Sequence, residues 1–151
     1  MTTIVQGIDG LKELAGSELG TSEPLVVTQE AVNLFADATG DHQWIHVDVE
    51  RAKAGPFGGP IAHGYLTLSL LPALLPSIFL VEGISMGLNY GLNKMRFPSP
   101  VPVGSEVVCT ATLVAVDDIA GGAQVTLGTV ITVVGAAKPS CVAELVFRYY
   151  A

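Results

Sequence analysis

The apolar residues in the first half of the chain recur with helical spacing. The best-defined helix is predicted to start after Thr28, a candidate N-cap, and to end at Gly40. Shorter helices are predicted at residues 11–14 and 49–54, the second with Asp48 as its cap. For the helix between Thr28 and Gly40, the apolar face is predicted to consist of Ala31, Leu34, Phe35 and Ala38.

A long uncharged stretch follows. Residues 54–81 contain no Lys, Arg, Asp or Glu, and residues 65–81 are mostly Leu, Ile, Phe and Ala. The apolar part has only about the ~17 residues that a membrane crossing needs at minimum, and Pro72 and Pro76 interrupt it. We therefore expect no membrane span, but a helix that begins near Gly64 and is surrounded by the rest of the domain.

The second half has the pattern of β-strands. Four segments rich in Val, Thr, Ile, Leu and Tyr are separated by Gly, Pro or Asp clusters: residues 86–97, 106–116, 123–134 and 140–149. Residues 117–122 and 135–139 are the predicted hairpin turns. No internal repeat or inter-domain linker is found, so residues 1–151 are predicted to form one α+β domain, an antiparallel sheet wrapped around one buried helix.

Composition narrows the possible partners. Half of the 151 residues are hydrophobic and only 14% are charged, so much apolar surface must be buried, in part against a second subunit. A net charge of −7 with seven Lys and Arg argues against a nucleic-acid partner. Cys109 and Cys141 lack the short spacing of a metal site and are expected to be buried, reduced thiols. The chain start lacks signal-peptide features, and we expect a cytoplasmic protein.

The segment GDHQWIH, residues 40–46, concentrates polar chemistry. Asp41 and His46 are five residues apart, a spacing that does not share a helix face, so only a turn can bring them together. Side by side, they would form a general acid/base pair. Alternatively, Asp41 caps a turn, His42 is exposed and His46 is a packing residue; the spacing alone somewhat favours this structural interpretation.

The tripeptide Ala62-His63-Gly64 stands at the head of the predicted apolar helix. A helix N-terminus presents unpaired N–H groups, and a glycine there allows a ligand carbonyl to approach the backbone, as an oxyanion hole requires. Taken alone, Gly64 is more simply interpreted as a loop glycine that serves the turn.

Together, these motifs carry a resemblance. FADATGDHQWIHVDVERA, GPFGGPIAHGYLTLSLLPAL and MGLNYGLNKMRFPSPVPVGSEV, in this order, resemble the MaoC-like dehydratases, the (R)-specific enoyl-CoA hydratase group, and most of all its nodulation protein N-like branch. The resemblance covers about residues 25–148. It implies a hot-dog fold, in which a curled antiparallel sheet wraps a long central helix, and a homodimer whose two sheets join edge to edge.

The resemblance also implies an activity. Asp41 and His46 match the family's acid and histidine, which hold and activate the water added to a trans-2-enoyl thioester to give (R)-3-hydroxyacyl-CoA. The backbone N–H of Gly64 would receive the thioester carbonyl. The implied enzyme is a hydro-lyase that needs no metal and no cofactor, since CoA is part of the substrate. A hot-dog acyl-CoA thioesterase and a non-catalytic acyl-thioester-binding module are the alternatives.

Other positions receive smaller roles. Gln43-Trp44 stands where the family usually has Asn-Pro, a subfamily feature with a bearing on substrate choice. His42 is assigned to solvent or a supporting contact, and His63 to loop shape. Strand alternation would place Asn89 and Asn93 on one face and Lys94 and Arg96 on the other. The substrate-binding candidates are therefore Gln43, Asn89, Lys94 and Arg96, the last two as partners for CoA phosphates. Acyl chain length, branching and the choice between CoA and acyl carrier protein remain open.

Overall fold

The computed structural model describes all 151 residues, Met1–Ala151. Six short helices and eight strands make up the chain. The helices are α1 (Gly7–Leu14), α2 (Gln29–Thr39), α3 (Trp44–Val47), α4 (Val49–Lys53), α5 (Gly64–Ser69) and α6 (Leu71–Leu74), the last followed by a 3-10 turn (Leu75–Ser77). The strands are β1 (Thr3–Gln6), β2 (Glu18–Thr21), β3 (Leu25–Val26), β4 (Phe79–Glu82), β5 (Met86–Arg96), β6 (Glu106–Ile119), β7 (Gly122–Val133) and β8 (Cys141–Tyr150).

The main sheet is antiparallel and has the order β2-β6-β7-β8-β5, with β3 also pairing with β6. A separate parallel pair joins β1 to β4. The hairpin between β6 and β7 turns later than predicted, because Asp117, Asp118 and Ile119 still pair with β7. The turn itself lies at Gly121, whose φ of 79° suits glycine.

The core lies between the inner face of the sheet and the helical segment 64–77. Alternate residues of β6, from Val107 to Leu113, are buried and pack in one apolar cluster with Leu71 and Leu74 of α6. The α+β arrangement, a curled antiparallel sheet with helices, is thus the predicted one. None of the helices combines the length and the apolar character needed to cross a membrane.

Both cysteines belong to this core and are free, as predicted. Burial raises the pKa of Cys109 to about 12 and that of Cys141 to about 11. Both thiols are therefore protonated at neutral pH and poorly reactive.

The central helical segment differs from the prediction in two ways. It consists of three consecutive pieces, because Pro72 and Pro76 lack the N–H that a continuous helix requires. It is also not surrounded: Tyr65 is 68% exposed, and Ser69 and Pro72 share the exposed side. The uncharged segment therefore leaves an exposed, uncharged stripe on this molecule, formed by Tyr65, Ser69 and Pro72.

Helix α2 is capped as predicted, but it buries a different face from the predicted one. Thr28 Oγ1 accepts a hydrogen bond from the Ala31 amide at 3.1 Å, and Gly40 ends the helix with a φ of 82°. The buried residues are Val32 and Ala36. The prediction of Leu34 and Ala38 in the apolar face is wrong: both are exposed, and Leu34 lies about 200° around the helix from Ala36.

Candidate active site

The loop between α2 and α3 brings Asp41 and His46 together. The Asp41 carboxylate accepts a hydrogen bond from the Gln43 amide at 3.3 Å, which bends the chain directly before α3. As a result, ligand atoms of Asp41, His46 and His63 all lie within 4.8 Å of one another. The turn that an acid/base pair requires is therefore present.

The His46 ring is buried and held in one orientation. Its side chain is 6% exposed, and Nδ1 lies 2.6 Å from the carbonyl oxygen of Ile61. A carbonyl only accepts, so Nδ1 carries the proton and Nε2 keeps its lone pair. The His46 carbonyl accepts a hydrogen bond from Gln29 Nε2 at 2.8 Å, which fixes the backbone from the other side. The imidazole is thus positioned to accept a proton through Nε2.

His63 contacts both members of the pair. Its ring stacks on His46 with centroids 3.9 Å apart and planes 25° apart, and its Nε2 donates to the Asp41 carbonyl at 2.9 Å. It is 3% exposed, and its Nδ1 has no hydrogen-bond partner. The sequence prediction assigned it only to loop shape. The available signal was a histidine directly before the predicted helix start at Gly64, where a Ser, Thr, Asp or Asn cap is usual.

Gly64 is the first residue of α5 and lines a cavity of about 280 Å³ together with His46. A Cβ at Gly64 would lie 2.8 Å from the ring of Phe97. Glycine is therefore required for the ring to close over the helix start. The remaining walls are largely apolar and include Phe57, Ile61 and Val101.

Ser140 also lines this cavity. Its side chain is 2% exposed, and its Oγ has no hydrogen-bond partner. Because it lies about a hundred residues from the GDHQWIH segment, no local pattern pointed to it.

The remaining predicted residues lie outside this cavity. Gln43 contributes its backbone amide to the Asp41 turn, and its side chain is exposed. Trp44 packs against Gly55, with the Arg51 guanidinium 4.3 Å from its ring centroid. His42 is exposed and bonded to Asp37 at 2.9 Å, which raises the pKa of the imidazole.

The β5 candidates are spread over both faces of the sheet. Asn89 lines a second cavity, of about 330 Å³, against α5 and α6, whereas Lys94 and Arg96 line a third, of about 530 Å³. Bulges between Asn89 and Gly91 and between Leu92 and Lys94 break the regular alternation. Asn89 lies on the opposite face from Lys94 and Arg96, as predicted, although the bulges interrupt the strict alternation on which that prediction relied. None of these side chains is among those that line the His46 cavity.

Asp41, His46 and His63 are also the group that could hold a metal ion. Two imidazoles and a carboxylate suit a transition metal. However, a metal binds in the plane of each ring, and two rings stacked with centroids 3.9 Å apart and planes 25° apart are a poor geometry for a shared ion. The arrangement suits proton transfer better than metal coordination.

Comparisons with known proteins identify the family. The family model described as "MaoC like domain" matches residues 11–135. The "3-hydroxyacyl-thioester dehydratase Z" of Mycobacterium tuberculosis is 56% identical over 147 residues, which are 97% of each chain. The "Nodulation protein N" of Rhizobium leguminosarum bv. viciae is 57% identical over 97 residues, 61% of this chain and 58% of that protein.

Solved structures share the fold. The "(R)-hydratase from A. caviae involved in PHA biosynthesis" superposes with a TM-score of 0.72 at 27% identity, covering 88% of this chain and 94% of that one. The hot-dog fold expected from the sequence is thereby confirmed.

Proposed function

The chain belongs to the MaoC-like dehydratase family, and from this premise we propose that it is an (R)-specific enoyl-CoA hydratase. As a hydro-lyase, it would add water reversibly to trans-2-enoyl thioesters and give (R)-3-hydroxyacyl-CoA. The observation that carries the proposal is the meeting of the Asp41 carboxylate and the His46 imidazole beside an apolar cavity that also contains Gly64 at a helix start.

In this proposal Asp41 and His46 hold the reacting water between them. One group accepts a proton from the water as the resulting hydroxide adds to the β-carbon, and the same group then delivers that proton to the α-carbon, so that one water is added and the enzyme returns to its starting state. The unprotonated Nε2 of His46 supports the imidazole as the group that exchanges the proton. Dehydration uses the same groups in reverse.

The negative charge that develops on the thioester oxygen needs a donor. We assign this role to the backbone N–H of Gly64, the first residue of α5, where amides have no partner within the helix; one such donor is typically worth ~2.7–4 kcal/mol of barrier. The apolar part of the cavity wall would strengthen this interaction, because a less polar environment screens charge less than water does. Neither a metal nor a cofactor has a step in this mechanism.

The assembly we propose is a homodimer joined through β5. This edge strand is exposed over almost its full length, with Leu88 and Leu92 more than 40% exposed. The uncovered stripe at Tyr65, Ser69 and Pro72 adds to this surface. An unpaired edge with apolar side chains is a template for pairing with another strand, and a second copy of β5 would satisfy it.

The carrier we propose is CoA, for which Lys94 and Arg96 remain candidate phosphate contacts. Glu18 and Glu144 line the same cavity and weaken its positive charge. The compartment we propose is the cytoplasm, where free thiols such as Cys109 and Cys141 stay reduced.

A hydration assay on the purified chain tests the proposed function. Crotonyl-CoA and longer trans-2-enoyl-CoA substrates are followed by loss of the enoyl absorbance, and the product is oxidised by (R)- or (S)-specific 3-hydroxyacyl-CoA dehydrogenase. We expect hydration with exclusively (R) product. Release of free CoA, detected with DTNB, would instead identify a thioesterase, and calorimetric binding without turnover at any chain length would identify a binding module.

A further inference from the structure

His63 contacts both candidate catalytic residues without belonging to the proposed chemistry. We propose that it is a positioning residue for the Asp41–His46 pair: it fixes the distance between them and its ring face stabilises His46 in the protonated form. The expected effect of His63 on turnover rests on the proposed function, whereas its contacts with Asp41 and His46 do not.

The first step concerns distance. The segment 61–63 touches both members of the pair, since the Ile61 carbonyl accepts from His46 Nδ1 at 2.6 Å and His63 Nε2 donates to the Asp41 carbonyl at 2.9 Å. These bonds reach 15 and 22 residues along the chain. Gly64 follows directly. One short stretch of backbone therefore sets the relative positions of acid, base and oxyanion donor.

That stretch is itself held on both sides. The Ile61 amide donates to the Ile45 carbonyl at 3.0 Å, and the Ala62 amide donates to the Val101 carbonyl at 2.8 Å. The hydroxyl and the amide of Thr67 both bond to the His63 carbonyl. The backbone of His63 is therefore fixed, and its side chain holds the Asp41 loop in place through the hydrogen bond to the Asp41 carbonyl.

The second step concerns charge. With its proton on Nε2, His63 is a neutral ring, and His46 stacks on its face at 3.9 Å. When His46 takes up a proton during turnover, the cation lies over an aromatic face, which attracts it. Besides the two histidines, Asp41 is the ionisable side chain of this cluster. The residues that line the His46 cavity include no Asp, Glu, Lys or Arg.

Folding alone does not explain a histidine here. The Nδ1 atom is buried without a partner, which is unfavourable, and Phe35 already packs against the ring with centroids 4.9 Å apart. An apolar ring would fill the same space without an unpaired nitrogen. It could not donate to Asp41, however, and this donation is what the pair requires.

Two substitutions separate the two effects. His63→Gln keeps a donor toward the Asp41 carbonyl but removes the ring, whereas His63→Phe keeps a ring face but removes the donor. The exposed His42→Gln is the matched control. The readouts are kcat and KM for crotonyl-CoA, the pH–rate profile, and an NMR titration of the His46 ring without substrate.

For His63→Gln we expect kcat to fall about fivefold with little change in KM, and the acid limb of the pH–rate profile to move to lower pH, because the protonated form of His46 loses the ring face. For His63→Phe we expect kcat to fall by about 10²-fold, because Asp41 loses its tether, with the His46 titration in place. Wild-type kcat and an unmoved titration in both folded variants would overturn the proposal.

The wild-type protein provides a check that needs no substitution. Imidazole 15N NMR should find the His63 proton on Nε2 and the His46 proton on Nδ1; the opposite tautomer at His63 would overturn the proposal even if the variants unfold. If the wild type hydrates no enoyl thioester, the proposed function fails, whereas the tautomer and the titration still decide the contacts assigned to His63.

Discussion

The two members of the proposed catalytic pair are fixed by different bonds. Asp41 lies in an exposed turn closed by its own carboxylate on the Gln43 amide, while His46 is buried and bonded to the Ile61 carbonyl. The exposed Asp41 can bind a water molecule that enters from solvent. The buried His46 lies in a less polar environment, where its hydrogen bonds are stronger than in water. The pair thus spans the boundary between solvent and cavity.

Gly64 gives the most local prediction. In Gly64→Ala the new Cβ would meet the Phe97 ring at 2.8 Å, so either the ring or the helix start must move. We expect kcat to fall by about 10²-fold and the free energy of unfolding to fall by about 1–3 kcal/mol. Crotonyl-CoA turnover and urea unfolding measure these effects.

Gly59→Ala is the control, because a Cβ there has nothing within 4 Å. Adding Phe97→Leu to Gly64→Ala should restore part of both losses by making room. A Gly64→Ala variant as active as wild type would contradict the requirement for close approach at this helix start.

Within the candidate site, only the local contacts could be anticipated from the sequence. Asp41 and His46 are five residues apart, so a turn was an identifiable condition for their meeting. His63 bonds to Asp41 across 22 residues, and Ser140, directly before β8, lines the His46 cavity. Such contacts depend on how the sheet closes over the helical segment, which no spacing in the sequence encodes.

At the scale of elements, α2 matters because it precedes the catalytic loop. Its first residue, Gln29, bonds to the His46 carbonyl, and its last, Thr39, accepts from the Asp41 amide. The start and end of α2 were predictable, because Thr28 and Gly40 act through their own backbone neighbours. The buried face was not, because residues 31–38 offer two apolar stripes and only packing selects one.

The N-cap provides a test of this element. Thr28→Ala removes the acceptor for the Ala31 amide and should lower the free energy of unfolding by about 1 kcal/mol, measured by urea denaturation. Thr28→Ser retains the hydroxyl and should stay within a few tenths of a kcal/mol of wild type. Equal stability of Thr28→Ala and wild type would mean that the cap does not hold α2 in solution.

For the whole molecule, the sheet order was the least predictable feature. Four long strands could be identified from alternation, but the position of β5 at the edge, beside β8, depends on long-range pairing. The same order leaves β5 and the stripe around Tyr65 uncovered. A single chain therefore buries only part of its apolar surface and leaves β5 and the Tyr65 stripe exposed. This agrees with the proposed homodimer.

The homodimer predicts a sharp contrast between two surface positions. Leu92 on β5 is 43% exposed and Val114 on β6 is 46% exposed, so an aspartate costs a similar desolvation at either site in the isolated chain. We expect Leu92→Asp to give the 15.7 kDa monomer in light scattering after gel filtration, and Val114→Asp to remain a dimer. A monomeric wild type, or a dimer unaffected by Leu92→Asp, would contradict the β5 interface.

The most direct test of the proposed hydratase site is the turnover of Asp41→Asn and His46→Gln with crotonyl-CoA. Both variants keep similar side-chain size, so circular dichroism should match wild type, and His42→Gln serves as the neighbouring control. We expect kcat to fall by ~10²–10⁴-fold in each of the two and to stay near wild type in the control. Unchanged kcat in both folded variants would contradict the assignment of this pair as the catalytic acid and base.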